Sequence, residues 1–140
     1  MSKPTRRQVL KFASITPFAL TSNATYASPN EKLNHAVIGT GSRGIHHCKE
    51  FQAQKDFCQV VAVCDVDPQH RKEASKTGVD KVYDDYRELL ADPAIDTVSI
   101  ATPDHWHAKM AMEAMLAGKH VYLEKPCCHN LEEGLQLVEC

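Results

Sequence analysis

Ala36-Val37-Ile38-Gly39-Thr40-Gly41-Ser42-Arg43-Gly44 decides how the rest of the chain is read. A short apolar run closes in Gly-x-Gly-x-x-Gly and passes into Ile45-His46-His47-Cys48-Lys49-Glu50-Phe51. That is the form of a strand turning tightly into a helix N-terminus, whose backbone N–H groups can cradle a pyrophosphate. In such a turn Gly39 serves the tight bend, Gly41 the close approach of phosphates, and Gly44 the packing of helix on strand. The pattern alone is weak, because glycine-rich turns after strands are common. It gains weight from Asp65, 21 residues beyond Gly44 at the end of a second apolar run, Val60-Val61-Ala62-Val63-Cys64. A carboxylate there can accept hydrogen bonds from the hydroxyls of an adenosine ribose, and it disfavours a 2′-phosphate, so NAD is expected before NADP.

Outward from this stretch, strands and helices alternate. Strands are predicted over 33–40, 58–66, 81–83, 96–101 and 120–124, and helices over 42–54, 68–76, 86–91, 105–117 and 131–139. Pro68 suits a helix start, Gly78 and Gly118 suit the residues just past helix ends, and Asn130 suits a cap with Glu132 and Glu133 in the first turn. Ala108, Met112 and Met115 fall at helical spacing and are expected as core filler. Alternation of this kind implies βαβ units, a parallel sheet and helices on both of its faces, a Rossmann-type doubly wound α/β domain over 28–140. With no strand after the last helix, a six-strand sheet would be unfinished, so a longer protein is expected.

Composition agrees with an ordinary globular domain: 43% hydrophobic and 24% charged residues in a chain of 140. The formal net charge of −2 hides an asymmetry. Residues 1–27 hold Lys3, Arg6, Arg7 and Lys11 and no acid, leaving 12 basic against 18 acidic residues, a net of −6, in the remainder. A mildly acidic body argues against electrostatic binding of nucleic acid. No run approaches the roughly 18 apolar residues that a bilayer span needs. Thr5-Arg6-Arg7-Gln8-Val9-Leu10-Lys11 resembles a twin-arginine export motif, with Val9 where phenylalanine is usual. A short apolar segment broken by Pro17 and then small residues follow, with cleavage after Ala27 or Ala24. Residues 1–27 are therefore read as a signal for the twin-arginine export machinery and a periplasmic destination, a basic amphipathic surface helix being the alternative.

The cysteines show no spacing of a small disulfide scaffold, and Cys58 and Cys64 read as buried small hydrophobes. Cys127-Cys128-His129 has no C-x-x-C partner, so no metal site is expected.

Three segments together carry a resemblance. Gly39-Thr40-Gly41-Ser42-Arg43-Gly44, Ala101-Thr102-Pro103-Asp104-His105-Trp106-His107 and Glu124-Lys125-Pro126 resemble, in order and spacing, the glucose–fructose oxidoreductase/inositol dehydrogenase (Gfo/Idh/MocA) family. The resemblance covers the chain after the signal, and Glu-Lys-Pro is its most specific part. It implies an NAD(P)-dependent oxidoreductase acting on a sugar, polyol or related hydroxyl compound. Residues 28–140 would be its nucleotide-binding part, followed in the family by an open-sheet α+β domain that supplies the substrate pocket and most of the oligomer contacts. The whole protein is then expected to be a homo-oligomer, and these 140 residues alone to be inactive. The resemblance places Thr102, Pro103, Asp104 and His107 along the nicotinamide side, and adds Glu124 and Lys125, at the end of a strand, to the residues that bind the cofactor. Lys125 would hold the reacting hydroxyl and assist proton movement, a role suited to a partly desolvated lysine, and Pro126 would follow a cis peptide. Arg43 would contact phosphate or adenine, or simply be exposed, and Trp106 would pack or flank a sugar face. Two other functions stay open: an NAD-dependent glycosidase of the same fold, and a non-catalytic nucleotide-binding module.

Overall fold

A computed structural model describes residues 32–140, so the expected export signal lies outside the described residues. Five strands are present: β1 (Leu33–Ile38), β2 (Cys58–Cys64), β3 (Lys81–Tyr83), β4 (Thr97–Ile100) and β5 (His120–Leu123). Between and after them run α1 (Ser42–Ala53), α2 (Pro68–Ser75), α3 (Tyr86–Ala91), α4 (His107–Leu116) and α5 (Leu131–Glu139). All pairings are parallel and the order is β3-β2-β1-β4-β5, so β1 is the middle strand and the chain reverses its winding between β1 and β4. In open α/β sheets that reversal is where ligands bind, beyond the carboxyl ends of the strands.

The alternation of side chains along β1 explains the two cores. Ala36 and Ile38 point to one face, where Leu89, Ile95, Val98, Ile100 and the α4 residues Met110, Ala111 and Ala114 close over them. Val37 points to the other, against Cys48 of α1, Val60, Val63 and Ala74, with Ile45 and Phe51 packed alongside. A strand buried on both faces reads as a continuous apolar run, as Ala36-Val37-Ile38 does. His35 is the exception, a polar side chain 1% exposed. Its ring stacks on Phe51 at 3.8 Å between centroids and meets Thr97 Oγ1 at 2.6 Å and Ser99 Oγ at 3.1 Å.

Four predicted strands run past their observed ends. Thr40, Val66, Ala101 and Glu124 leave the ladder, because each carboxyl end must splay into a loop to reach its helix. The helix predicted over 105–117 opens as a 3₁₀ turn, Asp104–Trp106, before α4 begins at His107. Met112 and Met115 are only half-buried, and the residues of α4 in the core are instead Ala108, Met110, Ala111 and Ala114. Apolar residues surround Met112 on nearly every side in sequence, so periodicity left the buried face ambiguous by one position. Cys58 and Cys64 are buried as expected, and burial pushes the Cys64 thiol up to about 12.

Candidate functional site

The glycine turn sits at the carboxyl end of β1. Gly39 takes φ +83°, a left-handed value that favours glycine, and a Cβ there would lie 2.8 Å from the Thr102 backbone N. At Gly44 the requirement is harder: a Cβ would lie 1.8 Å from Gly39 O, so α1 rests directly on the turn. Gly41 is the open one. The nearest atom to a Cβ at that position is His70 Cε1 at 3.7 Å, and φ is −62°.

Gly41 is also the N-cap of α1, and no side chain caps that helix end or places an acid in its first turn. By contrast α2, α3 and α5 are capped by Asp67, Asp85 and Asn130, each accepting a backbone N–H, while α4, which continues from a 3₁₀ turn, has no side-chain cap either. A bare, partly positive helix end facing open space suits an anion, so the residues present fit a dinucleotide's pyrophosphate.

Asp65 braces the turn from β2. Its Oδ2 accepts the Thr40 N–H at 2.6 Å and the Thr40 hydroxyl at 3.2 Å, and its Oδ1 accepts the Asp67 N–H at 2.9 Å. Burial raises its proton affinity, but these bonds and the nearby His70 outweigh that, so the carboxyl titrates below its usual range. Arg71 secures the same loop by donating to Asp65 O and Val66 O.

A cleft of about 680 Å³ opens at the carboxyl ends of the strands. Of the residues expected at the site, Gly39, Gly41, Ser42, Arg43, Asp65, Thr102 and Pro103 line it. Thr40 and Gly44 lie beneath the turn. Trp106 lines the cleft beside Tyr86, with ring centroids 6.5 Å apart, and the Arg87 guanidinium lies over the Tyr86 ring. Asp65, Val66, Asp84 and Asp85 line the same cleft as Trp106, and Lys125 does not.

Asp104, His107, Glu124 and Lys125 lie off the cleft wall. Asp104 is held by the His129 ring at 3.3 Å. His107 is 2% exposed and ties two loops together, its Nδ1 at 2.6 Å from Pro126 O and its Nε2 at 2.8 Å from Thr102 O. The Lys125–Pro126 bond is cis, as the resemblance implies. Among the described residues Lys125 is exposed. The reason is its place: β5 is an edge strand, and among the described residues nothing packs beyond it.

Glu124 is buried and turned back under α1. Its Oε1 accepts from Arg43 Nε at 2.5 Å and His47 Nε2 at 2.8 Å, and its Oε2 from the Lys125 N–H at 3.1 Å. The His47 and Arg43 bonds hold its carboxyl down at about 2. His47 and His35 were not singled out from sequence. The signal for His47 was its spacing, one helical turn beyond Arg43. For His35 it was a polar residue inside a strand otherwise apolar on both faces.

Parallel sheet, glycine turn, bare helix end and β2 carboxylate define a dinucleotide-binding domain of the Rossmann class. The profile of the Gfo/Idh/MocA oxidoreductase family, NAD-binding Rossmann fold, matches residues 33–140, and the chain belongs to that family. A glycosyl hydrolase family 109 protein of Shewanella pealeana is 37% identical over 115 residues, 73% of this chain and 24% of the relative. The WlbA dehydrogenase of Chromobacterium violaceum, solved with NADH and UDP-GlcNAcA, superposes with TM-score 0.75 at 30% identity over 80% of this chain and 32% of that one. The scyllo-inositol dehydrogenase of Lactobacillus casei, solved with NAD(H) and scyllo-inositol, gives TM-score 0.73 at 26% identity over 78% and 32%. The chain spans about a quarter to a third of the length of the curated relatives it matches.

Proposed function

We propose that this chain is the cofactor-holding part of an NAD-dependent dehydrogenase that oxidises or reduces a hydroxyl carbon of a sugar or polyol. The observation that carries the reading is the bare N-terminus of α1, opening with Gly41 onto the cleft between the ends of β1 and β4. NAD, when bound, would supply the hydride acceptor. The chain's own residues would do the rest. The α1 N-terminus would take the pyrophosphate, Asp65 the adenosine ribose, and Thr102 and Pro103 would form the opposite wall. Lys125, at the carboxyl end of β5, would hold the substrate hydroxyl and take part in moving its proton. The solved relatives that carry NAD(H) or NADH with an inositol or a nucleotide sugar support both the cofactor and the substrate class.

A second reading has its own support. The relatives named glycosyl hydrolase family 109 favour a redox-assisted cleavage of a glycoside, in which no net NADH accumulates. The twin-arginine-like segment at Thr5–Lys11 supports export of the folded, loaded protein to the periplasm.

Calorimetry on the chain tests the cofactor part: saturable NAD binding that disappears in Gly41→Val is expected. No binding by a folded sample would overturn it. For the whole protein, NADH fluorescence with inositols and simple sugars separates the readings, since a dehydrogenase accumulates NADH and a hydrolase releases sugar without it.

A further inference from the structure

Arg43 stands between the two parts of the site. It belongs to the first turn of α1, borders both the cleft and a smaller hollow beside His47 and Tyr122, and its Nε donates to the buried Glu124, the residue before Lys125. Glu124 is 7% exposed and does not line the cleft, so it is not placed to touch a ligand there itself.

A purely structural role does not explain this arrangement. To donate from Nε2 to Glu124, His47 must carry its proton there, and its Nδ1 is then buried without a partner among the described residues. Leaving a buried polar atom unsatisfied opposes folding, and an apolar side chain would fill the same place without that penalty. Such sites persist where the polar network does something else. Among the described residues only the Nε of Arg43 is engaged, which leaves the Nη edge of a half-exposed guanidinium beside the bare helix end. That edge is the part of arginine that forks around phosphate oxygens.

We propose that Glu124 is a positioning residue: it grips Arg43 by Nε and so fixes the guanidinium as a phosphate clamp over the glycine turn. The inference rests on the NAD reading above; where the resemblance implies that Glu124 binds the cofactor, Glu124 here acts on it only through Arg43. A free arginine would lose side-chain freedom on meeting the ligand; one already held loses less.

The test is NAD binding by calorimetry, with adenosine, which lacks phosphate, titrated by NMR as the control. On charge alone, Glu124→Gln removes a carboxylate near the phosphates and should tighten NAD. The proposal expects the opposite. Arg43→Ala should weaken NAD roughly tenfold and Glu124→Gln by somewhat less, with adenosine unchanged. The double variant should bind no more weakly than Arg43→Ala. Unchanged or tighter NAD binding by Glu124→Gln, losses that add, or an equal loss for adenosine would each overturn it. Should Glu124→Gln fail to fold, Arg43→Lys decides, since lysine keeps the charge but has no Nε–H in that position. Wild-type affinity in Arg43→Lys sinks the proposal, and a loss close to that of Arg43→Ala supports it. If the wild-type chain binds no NAD, the NAD reading and this inference fall together; NAD binding that ignores Arg43→Ala removes only this inference.

Discussion

Two helices leave the same edge of the sheet and begin in opposite ways. Helix α2 starts as isolated helices prefer to, with Asp67 accepting the Gln69 N–H at 2.7 Å and Pro68 in the first position. Helix α1 starts with a glycine, no capping side chain and no acid in its first turn. A cap of the Asp67 kind contributes about 1 kcal/mol. The chain forgoes that at α1, directly over the cleft, and keeps it at α2. Asp67 itself lines the cleft, so both helix starts border it, and the difference separates a helix end closed by its own side chain from one left open to an anion.

That contrast can be broken deliberately. Gly41→Asp would give α1 the cap it lacks: the backbone φ of −62° tolerates a side chain and the nearest atom to its Cβ is 3.7 Å away. The urea midpoint is expected to hold or rise while NAD affinity falls by roughly a hundredfold, because the carboxylate occupies the place of the phosphates. A variant that keeps NAD affinity would show that the helix end is not the anion site. Gly44→Ala attacks the base of the same turn. With its Cβ 1.8 Å from Gly39 O, the helix must lift off the strand, at about 3 kcal/mol of stability in denaturant unfolding. Asp67→Ala at the other helix should cost about 1 kcal/mol in the same assay and leave NAD affinity within about twofold.

How far the sequence alone reaches follows from this physics. The glycine turn, the β2 carboxylate and each strand and α-helix among the described residues were legible, because they rest on local spacing and on apolar runs, while the 3₁₀ turn Asp104–Trp106 was not. Helix α4 was legible as a helix but not in its buried face: Met112 and Met115 fit the period as well as Met110 and Ala111 do. The direction of Glu124 was out of reach. Nothing local says that it turns from the strand end toward Arg43 and His47, some eighty positions earlier, since only the sheet order β1-β4-β5 brings them together.

The smallest expected effect concerns acid. Burial, and then His47, lower the His35 ring from 6.5 to about 4. The unfolded chain takes that proton first, so stability is whole above pH 6.5 and declines as pH falls from there to about 4. Glu124 adds a second window. Its carboxyl is held at about 2 against an ordinary 4.5, so its contribution is whole above pH 4.5 and is lost toward pH 2. Urea midpoints measured across pH should show both steps. His35→Phe should flatten the upper one and spare the lower; a slope between pH 6.5 and 4 that survives the substitution would assign it to another group.

The contacts of His35 also set an order of events during synthesis. Its ring is satisfied by Thr97 and Ser99, which lie 62 and 64 positions further along the chain. The pairing of β1 with β2 spans far less and can form while the later strands are still within the ribosome. A nascent chain halted before Thr97 would hold its glycine turn but leave an imidazole without oxygens and the far wall of the cleft unbuilt. The cofactor's place therefore comes into being late and at one stroke, when β4 slides in beside β1.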